Sequence, residues 1–337
     1  MITARYYYSK LSDNNQKIYK AIYEGIKNFR PYVEVPGVSL NNANVGYVYH
    51  CVLWDNPFFF AIGEYAMQQA VFDDGKKIKI TALCDPNTEK LYREQVQAVI
   101  NEILKTSGLN EMSDFQKEVF VHDFILNNVE YDHTLGNGGA RLEPYTVYGV
   151  FVEKRAVCEG IAKAVKLLLN ILDVKCIVVD GQVEGHGHAW NIVKIKDFEY
   201  NLDVTFDMGR MVHKGVMRYD YFNFRTGDDP ERQLNGSHIM PKCTAIQYNY
   251  VIKAGGFVSS YERLVNYMVR CLKSKKNCMY IKMNFNVPNE FQKMDWQQFR
   301  NVITKAFNES MHKTGIKCSG YLDDSGQMGI YNLEITY

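Results

Sequence analysis

The stretch 156-AVCEGIAKAVKLLLNIL-172 limits what this chain can fold into more than any other. Apolar residues fall at 157, 161, 164, 165, 168 and 172, which is helical spacing. A helix that is apolar nearly all round must be buried on most of its sides. Its small residues Gly160, Ala162 and Ala164 let a sheet approach closely. Strand-like segments follow at 174–179, 188–195 and 199–205. The last two are separated only by Lys196-Asp197-Phe198, short enough for a hairpin.

The flanks read as separate pieces. Residues 13–29 predict a helix with Ile18, Ile22, Ile26 and Phe29 on one stripe. Residues 78–84 alternate like a half-buried strand, Asp85-Pro86 opens a helix to about residue 105, and Gly108 is a natural stop. Residues 1–108 therefore read as an N-terminal α+β accessory region. Ser113 and Gln116 form a capping-box pattern, and the helix they open runs to about Asn128 with Val121, Phe124 and Ile125 apolar. The stretch 134-TLGNGGARLEP-144 is too rich in Gly for anything but loop, and 226–240 is a second, polar loop. The core is thus bounded as 109–255. Residues 256–337 read as helix 260–272, strand 278–284, helix 295–311 and two final strands, a C-terminal α/β appendage.

Composition narrows the function classes. The 337 residues suffice for two or three packed units, and 46% hydrophobic against 23% charged residues allows a sizeable core. Net charge is +1 with no long Lys/Arg run, which speaks against a nucleic-acid or anionic-membrane partner. No apolar run reaches the ~18 residues of a membrane span, and the start, MITARYYYSK, has no apolar core of a secretory signal. The 24 tyrosines read as strand and core-edge residues. Eight cysteines lie scattered without a C-x-x-C pair, which removes the zinc-ribbon and thioredoxin patterns. Most read as reduced, buried residues, so the expected location is cytoplasmic.

Cys158 follows Lys154-Arg155-Ala156-Val157 and begins the buried helix. A thiol there feels the positive end of the helix dipole and unsatisfied N–H groups, and both favour the nucleophilic thiolate. In 184-EGHGHAWNI-192, His188 is continuous with the apolar strand. His186 would share its face only if the strand already began at 186, and Gly185 and Gly187 argue against that. A metal reading lacks ligand spacing, although Asp180 and Glu184 are near in sequence, so no metal is expected. Asp203, in 199-EYNLDVTFD-207, is the third member. With a hairpin closed at 195–198, partner numbers sum to 391 or 393, and residue 188 stands opposite 203 or 205. Either register puts 188 and 203 on one face, with Cβ atoms ~5 Å or ~7–8 Å apart. Asp207 and Asp197 are rivals, read as solvated or turn residues. The parts are a nucleophile, a general base/acid and an orienting carboxylate in the order Cys, His, Asp.

The segments 147-VYGVFVEKRAVCEGIAKAVKLLLNIL-172, 188-HAWNIV-193 and 200-YNLDVTFD-207 resemble the transglutaminase-like family, a branch of the papain-like cysteine-nucleophile fold. Upstream 116-QKEVFVHDFILNNVEYD-132 and downstream 219-YDYFN-223 resemble what flanks the nucleophile in bacterial members, so the likeness covers roughly 110–225. It implies an α+β core with the Cys-bearing helix packed on an antiparallel sheet that supplies His and Asp. It also implies that Cys158, His188 and Asp203 form a catalytic triad attacking a Gln side-chain amide or a peptide carbonyl. The resulting thioester passes to a Lys amine or to water. The Cys158 N–H is a candidate oxyanion donor and Tyr148 the guess for a second. Calcium-binding loops of the animal enzymes are not recognisable, so no cofactor is implied. The expected activity is a cysteine peptidase or amidase on a peptide or protein substrate, with hydrolysis favoured over crosslinking or deamidating glutamyl transfer. A non-catalytic protein-binding module on the same fold is the alternative. The loop 133–143 is a candidate cover for the cleft. Trp190 either lines that cleft or packs in the core.

Overall fold

The computed structural model describes residues 5–60, 76–80, 84–136, 141, 143–211, 216–236, 239–284, 288–324 and 328–337. Contacts divide the chain into two compact units, Met1–Thr205 with Glu231–Lys242, and Phe206–Pro230 with Cys243–Tyr337. This differs from boundaries at 108 and 255. The reason is that the helix at 42–55 packs on the strand after the Cys-bearing helix, and a later segment rejoins the same sheet.

The first unit starts with α1 (Tyr6–Lys10), α2 (Asp13–Lys27), β1 (Tyr32–Glu34), α3 (Asn42–Asp55), β2 (Lys77–Lys79) and α4 (Pro86–Ile103). Helix α2 buries Ile18, Ile22 and Ile26, the stripe seen in sequence. Asp85 caps α4 by accepting from the Asn87 and Thr88 amides, with Pro86 in the first turn where its missing N–H costs nothing. Strand β2 ends at Lys79, and of the strand expected at 78–84, residues 81–83 lie outside the described residues. Helix α3 had no counterpart in the sequence reading. It opens on a capping box between Asn41 and Asn44.

Next come α5 (Asp114–Asn128), β3 (Glu130–Tyr131), β4 (Arg155–Ala156), α6 (Cys158–Ile171), β5 (Cys176–Val183), β6 (His186–Ile195) and β7 (Phe198–Leu202). The Ser113–Gln116 capping box is present. In the Gly-rich loop, residues 137–140 and 142 lie outside the described residues, and with them most of the expected cleft cover. Every residue of α6 from Gly160 to Asn170 is buried. Its two lysines are accommodated by partners: Lys163 bonds Glu159 and the Tyr145 carbonyl, and Lys166 bonds the Trp54 carbonyl and faces Asp55 at 3.9 Å. Burial lowers the Lys166 pKa and raises that of Asp55. Gly160 is required because a Cβ there would meet the Pro144 carbonyl oxygen at 2.3 Å.

The sheet of this unit runs β7–β6–β5–β9 in antiparallel pairing, with β9 (Arg232–Leu234) supplied from beyond the second unit's first segment. Pairing of Ile195 with Phe198 fixes the 393 register. Two expectations are corrected here. Strand β6 already begins at His186, because Glu184 and Gly185, both at positive φ, make a tight two-residue hairpin turn. Strand β7 ends at Leu202, and α7 (Val204–Gly209) starts almost at once, so Asp203 lies past the ladder rather than opposite residue 188.

The second unit contains β8 (Phe222–Phe224), α8 (Tyr250–Ala254), β10 (Phe257–Val258), α9 (Tyr261–Lys273), β11 (Cys278–Met283), α10 (Trp296–Thr314), β12 (Ser319–Asp324) and β13 (Ile330–Thr336). Its sheet runs β10–β11–β13–β12, with the first pair parallel. Helices α9 and α10 share a core with the sheet through Leu264, Met268, Ile281, Phe299, Ile303 and Leu333. The helix–strand–helix–strand–strand order expected for 256–337 is present.

Candidate active site

Cys158 is the first residue of α6, and its position follows from what precedes it. Strand β4 pairs with β3, placing Tyr131 opposite Ala156, and the Asp132 amide donates to the Ala156 carbonyl at 2.9 Å. The N-cap is Val157, whose side chain offers no acceptor. The first-turn amides of α6 therefore gain no cap from the N-cap side chain, which suits a helix start that faces an anionic group. The thiol is half-buried and free.

His188 is set by β6. Three residues further on, Asn191 is buried and donates to the Ala162 carbonyl at 2.9 Å. That bond locks the sheet to α6 and so fixes the spacing of His188 from Cys158. The imidazole Nε2 lies 2.7 Å from Asp203 Oδ2, with side chains 9% and 1% exposed. The other ring nitrogen is left for sulfur, and the ring is hydrogen-bonded to the Cys158 thiol. Burial alone would push the His188 pKa down. The Asp203 carboxylate, and after it the thiol, outweigh burial and carry the pKa up to about 9. At neutral pH the ring is thus an imidazolium donating to Asp203.

The structure brings together Cys158, His188 and Asp203 with Trp190 and with two residues that the sequence leaves without a role at the site, Arg232 and Tyr131. Arg232, in β9, donates from Nη1 to the same Oδ2 of Asp203 at 2.8 Å. Its guanidinium lies 4.7 Å from the Trp190 ring centroid. Trp190 is buried, donates to Asn201 Oδ1 at 3.1 Å and stacks on His188 at 6.0 Å, so it is core packing. Tyr131 hydrogen-bonds both the Cys158 amide and its thiol. Burial, then the thiol beside it, raises the phenol pKa to about 12, so it stays protonated. Tyr148, the guess from sequence, instead stacks on Tyr92 at 3.8 Å. The only advance signal for Tyr131 was its place in the Tyr-Asp segment ahead of the nucleophile.

The rivals sort themselves by contact. Asp207 is not solvated: it is fully buried and accepts from the Tyr221 amide at 2.9 Å. Asp197 is exposed in the β6–β7 turn, as read from sequence. Asp180 accepts from Asn235 at 2.9 Å, and His186 and Glu184 are exposed. Among the described residues no group of three or more His, Cys, Asp or Glu is arranged to hold a metal ion, and no helix is long and apolar enough to cross a membrane.

Comparison with known proteins bears on residues 97–202, which match the model of the transglutaminase-like superfamily. Among solved structures, the chain is similar to a crystal structure of a TGase, with 18% identity, 40% of this chain and 36% of that chain covered, and a TM-score of 0.30. It is also similar to a crystal structure of menin that reveals its binding site for the Mixed Lineage Leukemia protein, with 13% identity, 89% and 52% coverage and a TM-score of 0.28. The chain thus spans well under two thirds of either structure. No curated protein matches it. The match and the α+β architecture with its antiparallel sheet identify residues 97–202 as a transglutaminase-like superfamily domain, of a kind that generally carries out cysteine-based acyl transfer.

Proposed function

We propose that the site is a cysteine-dependent acyl-transfer centre acting on amide bonds of peptides or proteins, with hydrolysis favoured over crosslinking. The observation that carries this reading is the chain of contacts from sulfur to imidazole to carboxylate, closed by the 2.7 Å bond between His188 and Asp203. With its proton passed to His188, the sulfur attacks an amide carbonyl, and the imidazolium then protonates the departing ammonia or amine. Asp203 keeps the ring turned and stabilises its cation.

Oxyanion stabilisation falls to the Cys158 amide and to Tyr131. The Tyr131 phenol stands beside the Cys158 amide and thiol. Held protonated, it is the second donor. Loss of one such donor commonly costs about 3 kcal/mol of transition-state stabilisation.

The test is ammonia release from Gln peptides, and amine release from peptide substrates, each with and without an added primary amine. Hydrolysis predicts a rate that the amine does not raise and an acyl-enzyme trapped on Cys158. A product that incorporates the amine quantitatively overturns the hydrolytic assignment in favour of glutamyl transfer. Tyr131→Phe is expected to slow acyl-enzyme formation about 100-fold with the peptide KM little changed. Absence of any acyl adduct on Cys158 with either substrate class counts for the binding-module reading.

A further inference from the structure

The chemistry above leaves one buried charge at the site without a task. Arg232 comes from a segment that reads in sequence as polar loop, yet its side chain is only 5% exposed. Three features deliver it to the site. Strand β9 pairs with β5 at Gly181↔Leu234, Gln182↔Gln233 and Val183↔Arg232. Position 181 admits only glycine for this approach, because a Cβ would lie 1.9 Å from the Gln233 carbonyl oxygen and 2.8 Å from the Trp190 ring. The Trp190 face then supports the guanidinium at 4.7 Å. The result is an Asp203 Oδ2 that accepts from His188 Nε2 at 2.7 Å and from Arg232 Nη1 at 2.8 Å.

We propose that Arg232 is a positioning residue for the acyl-transfer reaction: it holds Asp203 Oδ2 from a second direction and takes up part of that carboxylate's charge, so that the His188 imidazolium can give up its proton to the leaving group. The proposal rests on the functional reading above. A buried carboxylate with a single cationic partner binds it tightly, and an imidazolium so held is a poor general acid. A guanidinium does not deprotonate, so its claim on Asp203 is permanent and the imidazolium has to share. Asp203, from the β7–α7 junction, and Cys158, from the start of α6, act on His188. The residue facing it across the β5 ladder is the uncharged Gly181, His186 on its own strand is exposed, and Arg232 acts from β9 through Asp203.

The experiment is an NMR titration of the His188 ring in the full chain, without substrate, for the unsubstituted protein, Arg232→Gln and Arg232→Lys. Gln keeps a donor for Asp203 but removes the charge, and Lys keeps the charge but removes the fork. The midpoint is expected to move up by about one pH unit in Arg232→Gln and to stay near its original value in Arg232→Lys. An unchanged or lowered midpoint in Arg232→Gln overturns the proposal, since a purely structural anchor would on removal loosen Asp203 and let the pKa fall. Should Arg232→Gln not fold, Arg232→Lys decides alone: an unchanged midpoint supports charge sharing and a lowered one overturns it. The titration is independent of turnover, so an inert Cys158 would sink the functional reading and leave this comparison standing.

Discussion

Two buried arginines, Arg218 in the second unit and Arg232 in the first, make opposite uses of the same ion pair. Arg218 is fully buried and forks onto both oxygens of Asp220 at 2.9 and 3.2 Å. Its remaining donor reaches Asp323 at 2.6 Å and the Arg210 carbonyl at 2.9 Å, and Asn332 donates to Asp220 at 3.2 Å. These partners push its already high pKa further up, outweighing burial. The Arg218 guanidinium keeps its charge across the ordinary pH range. Arg232 donates to an oxygen of Asp203 that is shared with a histidine that titrates and touches a thiol. A buried pair closed on itself holds a fold together. A buried pair with a titrating third member beside a nucleophile moves protons.

The largest effect that tests this contrast is on stability. Arg218→Met leaves two aspartates without their guanidinium and is expected to cost about 3–5 kcal/mol in urea denaturation, with Cys158 reactivity in the folded protein unchanged. If reactivity fell as far as in a His188 variant, the two networks would not be separable in function.

A smaller effect separates the titrating network from the fixed one. The His188 pKa is raised from 6.5 to about 9 by folding. Its contribution is therefore fully present below pH 6.5 and is lost as pH rises through about 9. Unfolding free energy should fall over that window by up to about 3 kcal/mol, and His188→Gln should flatten the fall. A curve equally steep in the variant would place the titration elsewhere.

What was legible in the sequence was what is local. The Asp85-Pro86 start, the Ser113–Gln116 box and the all-round apolar helix at 158–171 declare themselves within a few residues, because caps and periodicity act over one turn. The hairpin closing at Lys196-Asp197 was readable for the same reason, and it set the face of His188. The Glu184-Gly185 turn was misjudged because Gly185 and Gly187 were both read as loop, whereas Gly185 alone is needed at positive φ. Arg232 was invisible. Its position depends on the pairing of β9 with a strand some fifty residues earlier, and the sign of that pairing is a glycine on the other strand. Tyr131 depends likewise on the parallel pairing of β3 with β4.

The central claim is that contact with His188 activates Cys158. Its most direct measurement is the rate of iodoacetamide alkylation at each cysteine against pH, read by mass spectrometry, with His188→Ala as control. Cys318 is the internal reference, since it is partly exposed and burial raises its pKa, whereas Cys51 is fully buried with a pKa raised to about 12. At pH 6.5 the account predicts that Cys158 reacts at least about tenfold faster than Cys318 because His188 can take its proton, and that His188→Ala abolishes the difference. Equal rates at Cys158 and Cys318 in the unsubstituted protein, or a Cys158 rate unchanged by His188→Ala, would contradict it.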